Sequence, residues 1–336
     1  MVYIGCVFRF LTNPLDRWVI RMATQSVHNG DGGHQATAAE AYLKQPDFFT
    51  APIATPADFD FSNELDFHFR SPVSTPWLEN DTVHGKLYRA GDSWKEKPAV
   101  ILLHGWNGEL GYRHGFPFLA RRLARLGVNV AMLELPYHGQ RKPSTAGAIR
   151  NFISHDLLRM VEATRQAMSD VRALMAWLET QGSRGVGLWG ISMGAWLSGL
   201  LVSQEARTKF AVLMSPVARM DQAVMDLAFC EPIRRSLQGT GLSLEPLNLA
   251  SHRPLAAPED ILIVESKYDL FAPAESIEEV WRAWNKPEIW RLRHGHISVL
   301  GSPWVMEKTI RWVARKALAL EGKKKISVGT KLASGF

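Results

Sequence analysis

The chain has 336 residues, 46% apolar and 21% charged. It can therefore build one large α/β domain with an insertion, or two small ones, which excludes a disordered chain and a stapled miniprotein. Two cysteines, Cys6 and Cys230, could pair but make no disulfide framework, so a reducing, cytoplasmic setting is expected. The net charge of +6 calls for no nucleic-acid partner, since half of it sits in 321–336, where Lys323, Lys324, Lys325 and Lys331 face Glu321.

Residues 1–11 are apolar, with no basic flank before them and no A-x-A site after, and are expected to be an uncleaved or poorly ordered extension. Residues 23–63 are rich in Ala, Thr, Pro, Gly and Asp, and Asn29-Gly30-Asp31-Gly32-Gly33 breaks the chain. Asp47-Phe48-Phe49 and Asp58-Phe59-Asp60-Phe61 read as an extended arm whose aromatics lie on a core, so 1–63 forms an N-terminal extension.

From Glu64 the pattern becomes regular. Strands are predicted at 65–70 and 82–89, joined by a proline-containing turn, and 99–103 is a continuous apolar run suited to a buried parallel strand. A helix at 116–126 ends at Gly127, and a strand follows at 128–133. Over 155–180, Leu157, Val161, Thr164, Met168, Val171, Leu174, Met175 and Leu178 recur at helical spacing. Further strands are predicted at 186–189, 210–214, 261–264 and 289–292, with helices at 195–202, 274–284 and 304–318. Strand and helix in alternation imply a mainly parallel sheet covered on both faces. Residues 215–258 interrupt that alternation and are too long for a crossover, so they are read as a small helical cap between core segments 64–214 and 259–320. Residues 321–336 are read as a basic flexible tail.

The chemistry centres on Gly190-Ile191-Ser192-Met193-Gly194, a G-x-S-x-G pentapeptide between an apolar strand and an apolar helix. A sharp turn there pushes the serine hydroxyl into the open, and the flanking glycines leave room where side chains would collide. A serine hydroxyl needs a base, and the base needs an orienting acid. Asp269, on the loop after the strand at 261–264, is the candidate acid, with Glu265 as the alternative. His296, after the strand at 289–292, is the candidate base, with His294 as the alternative. The backbone N–H of Met193 is one candidate oxyanion donor. The other is that of Trp106, in the turn His104-Gly105-Trp106-Asn107-Gly108; His104 is read as structural. Trp106, Tyr137 and Arg141 are candidate pocket residues.

With these segments quoted, residues 64–320 resemble the α/β-hydrolase superfamily. The resemblance implies an eight-stranded, mostly parallel sheet whose second strand runs antiparallel, and cofactor-free hydrolysis through an acyl-enzyme. A narrower resemblance rests on Glu134-Leu135-Pro136-Tyr137-His138-Gly139-Gln140-Arg141-Lys142-Pro143, the long helix and Trp189-Gly190-Ile191-Ser192-Met193-Gly194. These are similar to the α/β-hydrolase domain-containing protein 18 group.

The expected reaction is cleavage of a carboxylic ester, a thioester or an amide, on a small-molecule substrate. A peptidase, an acyltransferase and a catalytically silent binding protein are the alternatives. Gly185-Val186-Gly187-Leu188-Trp189-Gly190 also reads G-x-G-x-x-G, but its first glycines fall at and inside a strand, against a dinucleotide site. His28, Asp31 and His34 sit in the glycine-rich break and form no expected metal site. The uncharged stretch 185–203 has the length of a membrane span, but its glycines and serine break it into strand, turn and helix.

Overall fold

The computed structural model describes residues 2–24, 35–144 and 152–332, with side chains in 13–24, 35–144 and 152–321. Two helices lie before the sheet, α1 (Val2–Thr24) and α2 (Ala36–Leu43). Strands β1 (Asp60–Phe61) and β2 (Asp66–Arg70), helix α3 (Leu78–Asp81), and strands β3 (Thr82–Tyr88) and β4 (Ala99–Leu103) follow. Then come α4 (Phe116–Arg125), β5 (Asn129–Leu133), α5 (Leu157–Thr180), β6 (Val186–Ile191), α6 (Met193–Gln204) and β7 (Thr208–Met214). Helices α7 (Met220–Asp226) and α8 (Glu231–Leu237) occupy the insertion before β8 (Ile261–Ser266), and α9 (Ala274–Ala283), β9 (Glu288–Leu292) and α10 (Pro303–Leu332) complete the chain.

The strands form one sheet in the order β1-β2-β3-β5-β4-β6-β7-β8-β9. The six from β5 to β9 along that order are parallel, while β3 pairs antiparallel with both β2 and β5. This is the α/β-hydrolase arrangement with nine strands rather than eight. The additional one, β1, pairs with β2 because Phe59 stacks on Trp177 of α5 at 3.7 Å between centroids and Phe61 packs edge-on to Phe67.

Strand β4 explains why the sheet is covered twice. Ala99, Ile101 and Leu103 enter the core under α2, α5, α6 and α9, while Val100 and Leu102 enter the core under α4 and α10. All five are buried, and each Val, Leu or Ile taken fully from water contributes about 1.5–3 kcal/mol. A polar side chain anywhere on this strand would be stranded in one core or the other. Helix α5 starts where it does because the Asp156 side chain accepts from the Arg159 N–H at 3.1 Å and caps the first turn.

Where structure and sequence reading differ, the difference lies mostly at the ends. Segment 23–63, for which the sequence predicts no helix, contains α2, which buries Ala36, Ala39 and Leu43. Helix α10 continues to Leu332, through most of the segment read as a tail. The uncharged stretch 185–203 divides into β6, Ser192 and α6, and among the described residues no helix is long and apolar enough to cross a membrane. His28, Asp31 and His34 lie outside the described residues.

Candidate active site

Strands β5 and β6 flank β4 on opposite sides, so the connections leaving the carboxyl end of β4 and β6 diverge and open a crevice there. Ser192 stands at that point, between the last residue of β6 and the first of α6, with φ 55° and ψ −117°. Backbone contact enforces the turn. A Cβ on Gly190 would lie 2.1 Å from the Gly194 carbonyl oxygen, and one on Gly194 would lie 2.2 Å from that of Leu103. Neither position accepts a side chain, so strand and helix cross close together and the serine takes the strained conformation.

His296 Nε2 lies 2.8 Å from Ser192 Oγ, and His296 Nδ1 lies 2.7 Å from Asp269 Oδ2. The other Asp269 oxygen accepts the backbone N–H groups of Phe271 and Ala272, both at 2.8 Å. With its proton on Nδ1 donated to Asp269, the imidazole presents Nε2 as an acceptor to the serine hydroxyl. Burial pulls the His296 pKa down, but the Asp269 carboxylate, and Asp16 beyond it, outweigh burial and leave it raised above 6.5.

The alternatives do not join this chain. Glu265, at the end of β8, is buried and pushed up to about 7 by burial and by Glu278; its nearest cation is Arg291 at 3.9 Å. His294 sets its Nδ1 3.3 Å from Ser298 Oγ.

The loop after β4 presses on the nucleophile: a Cβ on Gly105 would come within 3.2 Å of Ser192 Cβ. Two neutral histidines hold that loop. His104 accepts the Leu135 N–H on Nε2 at 3.1 Å and sets Nδ1 2.8 Å from the Gly105 carbonyl. His138 accepts the Asn107 N–H on Nε2 at 3.3 Å and sets Nδ1 2.9 Å from the Pro136 carbonyl. Burial lowers both, His138 to about 3 with His104 adding to the effect, so both rings stay free to accept. Asn107 has φ 51°, and its N–H bond to His138 helps fix that conformation. Among the described residues, no acceptor is bonded to the backbone N–H of Trp106 or Met193.

Ser192 and His296 open onto a cavity of about 1310 Å³. Its walls are mostly apolar, with Met193 and Trp196 from α6, Val224 from α7, Leu227 and Phe229 after it, and Ile233 from α8. Trp106 lines it and stacks on Phe229 at 4.9 Å. Helix α1 closes one side with Leu15, Trp18, Val19 and Met22.

Two pocket expectations need correction. Arg141 is fully buried away from the cavity, in an ion pair with Asp170 at 2.8 Å and hydrogen bonds to the Asn80 and Glu134 carbonyls. Tyr137 is also buried outside the cavity lining, its N–H bonded to Asn80 Oδ1 at 2.9 Å and its ring under the Arg159 guanidinium. Both follow β5 near the crevice, but the chain turns them inward, toward α3 and α5. The glycines of the G-x-G-x-x-G pattern stand at and within β6, where a side chain at Gly187 would overlap the Phe210 ring. Two residues near the site went unread in the sequence, His138 as a holder of the loop and Asp16 on α1. Asp16 lies 280 residues before the loop it touches, and nothing local marks it.

A nine-stranded sheet of this order, with a serine on a strained strand-to-helix turn, defines an α/β-hydrolase-fold protein. Residues 42–236 match the family model described as "Alpha/beta hydrolase domain containing 18", and the chain belongs to that family. Two curated relatives from Mycobacterium tuberculosis, Uncharacterized protein Rv2627c of strain H37Rv and Uncharacterized protein MT2702 of strain CDC 1551, are each 29% identical over 241 residues, 68% of this chain. The aligned stretch spans 57% of each relative. Among solved structures, the chain is similar to an acetyl xylan esterase from Paenibacillus sp. R4, with 15% identity and a TM-score of 0.53 over 87% of this chain and 98% of that one. It is also similar to a putative dienelactone hydrolase from Klebsiella pneumoniae, with 15% identity and a TM-score of 0.52 over 76% and 98%. At such identity the similarity concerns the fold.

Proposed function

We propose that this protein is a serine hydrolase that cleaves a carboxylic ester through an acyl-enzyme. The observation that carries the reading is the unbroken chain Asp269–His296–Ser192, with spacings of 2.7 and 2.8 Å, at the wall of an apolar cavity. Ser192 Oγ attacks the acyl carbon as His296 Nε2 takes its proton, and His296 returns that proton to the departing alkoxide. Water then attacks the acyl-serine with His296 again as base, releasing the acid and restoring the hydroxyl. Asp269 holds the imidazole in the required tautomer and stabilises its cation. The N–H groups of Met193 and Trp106 receive the oxyanion; loss of one such donor typically costs about 3 kcal/mol of transition-state binding. Residues 215–258 act as the cap on the core segments 64–214 and 259–320.

The apolar walls favour medium-chain or aromatic acyl groups. On a series of p-nitrophenyl esters, kcat/KM is expected to rise from acetate toward medium chains and to be poor for charged acyl groups; a strict preference for charged groups overturns this reading of the cavity.

The raised His296 pKa sets a pH profile. The base must be neutral to accept the serine proton, so kcat/KM falls as pH drops through that value. The acid limb is expected to have its midpoint above 6.5, and a midpoint below 6.5 contradicts the balance between burial and the two carboxylates.

A further inference from the structure

Asp16 lies near the middle of α1, fully buried, and reaches across to the loops that carry the base and its acid. Its Oδ2 accepts the backbone N–H of His296 at 2.8 Å and that of Leu270 at 3.3 Å, and its Oδ1 accepts the N–H of Ile297 at 3.1 Å. One carboxylate therefore gathers donors from both loops: Leu270 follows Asp269 directly, and the other two are His296 and its neighbour. Gly295 allows the approach, since a Cβ there would lie 2.8 Å from Asp16 Oδ2. A surface helix does not ordinarily bury an unpaired acid. Burial raises the pKa of this one, and the His296 and Ile297 N–H groups work against that rise.

We infer that Asp16 is a positioning residue for the proposed hydrolysis: docking of α1 ties the His296 and Asp269 loops together and holds the imidazole in line with Ser192. This rests on the serine-hydrolase reading above. The requirement for alignment is steep, because a misplacement of about 1 Å can cost about 100-fold in rate. The charged groups that bear on His296 are Asp269 from the loop after β8 and Asp16 from α1. Asp16 thus also favours the imidazolium that forms as the serine proton is taken.

The test is Asp16→Asn in the full chain, assayed on a p-nitrophenyl ester that the wild type cleaves. An amide oxygen at the Oδ2 position keeps two of the three bonds, but its NH2 then faces the Ile297 N–H and the charge is gone. The plateau kcat is expected to fall about 10- to 100-fold with KM unchanged. The acid limb is expected to move to lower pH, a change that altered fold stability alone does not produce. The downfield proton resonance of His296 Nδ1–H, which reports the bond to Asp269, is expected to shift or broaden. Gly295→Ala displaces the carboxylate from the other side and carries the same test where Asp16→Asn does not fold. In an Asp16→Ala background, Gly295→Ala should cost nothing further, since both act through one contact. An unchanged kcat, limb and resonance in Asp16→Asn overturns the positioning role, as do losses that multiply in the double variant. A wild type that a fluorophosphonate fails to label at Ser192 sinks the hydrolase reading, and this inference with it; a labelled wild type with an unchanged Asp16→Asn variant sinks this inference alone.

Discussion

Ser192→Ala is expected to reduce kcat/KM for a p-nitrophenyl ester by about 10⁴- to 10⁶-fold and to abolish labelling by a fluorophosphonate. The change removes one oxygen and little else. The Ser192 N–H bond to the Met214 carbonyl at 2.9 Å and the Trp196 N–H bond to the Ser192 carbonyl at 3.0 Å are made by the backbone and survive. Alanine carries the same strain at φ 55° that serine does, so the unfolding midpoint should barely move. Any residual rate comes from binding and oxyanion donors acting on water. Mass spectrometry of the labelled wild type should place the probe on Ser192. Full labelling of the alanine variant would falsify the assignment of the nucleophile.

Arg141→Met carries the largest expected loss of stability, about 3–5 kcal/mol. The guanidinium is fully buried and gives four hydrogen bonds, two to the Asn80 carbonyl, one to the Glu134 carbonyl and one to the Asp170 carboxylate at 2.8 Å. Methionine fills the volume but leaves Asp170 in the interior with Ser71 Oγ as its remaining side-chain partner. Burial already pushes the Asp170 carboxyl up while Arg141 pulls it down, so losing Arg141 raises it further. Asn80 makes the damage spread, because its side chain also bonds the Tyr137 N–H and Gln166 Oε1. Denaturant titration should show a lower midpoint with an unchanged slope. Arg141→Lys should recover little, since an ammonium lacks the fork that serves three acceptor groups at once. The measurement also separates two roles for this residue. A substrate contact would leave the midpoint alone and change KM for an anionic ester, whereas the buried pair predicts the reverse.

Arg141 shows where reading the sequence ran out. Its place after a sheet strand, beside a lysine, fits a wall of the pocket as well as a buried pair. The choice was made by Asp170, 29 residues later on α5, whose position depends on how that helix packs. The candidate triad was far more legible. Gly190 and Gly194 flank Ser192 at the spacing a strand-to-helix contact demands, and Asp269 and His296 each follow a predicted strand in the chain order this fold uses. Those signals are local, since strand, turn and loop are written in adjacent residues. Chain order and strand position alone favour Asp269 over Glu265, and His296 over His294; the geometry adds where the alternatives point, Glu265 from within β8 toward Arg291 and His294 toward Ser298.

The N-terminal segment was the least legible part. An apolar start, a proline at position 14 and a glycine-rich break resemble a loose extension, yet α1 lies against the cavity and sends Asp16 under the His296 loop. An acidic residue in a helix has the same composition whether it faces water or three buried N–H groups. Periodicity, glycine spacing and the order of apolar runs therefore determined the sheet, its covering helices and the serine on its turn, because each depends on sterics within a few residues. The tertiary structure alone decided the partners of Asp16, His138 and Arg141. Those depend on which distant groups arrive beside them once water is excluded, and burial makes such pairings strong without leaving a trace in the neighbouring residues.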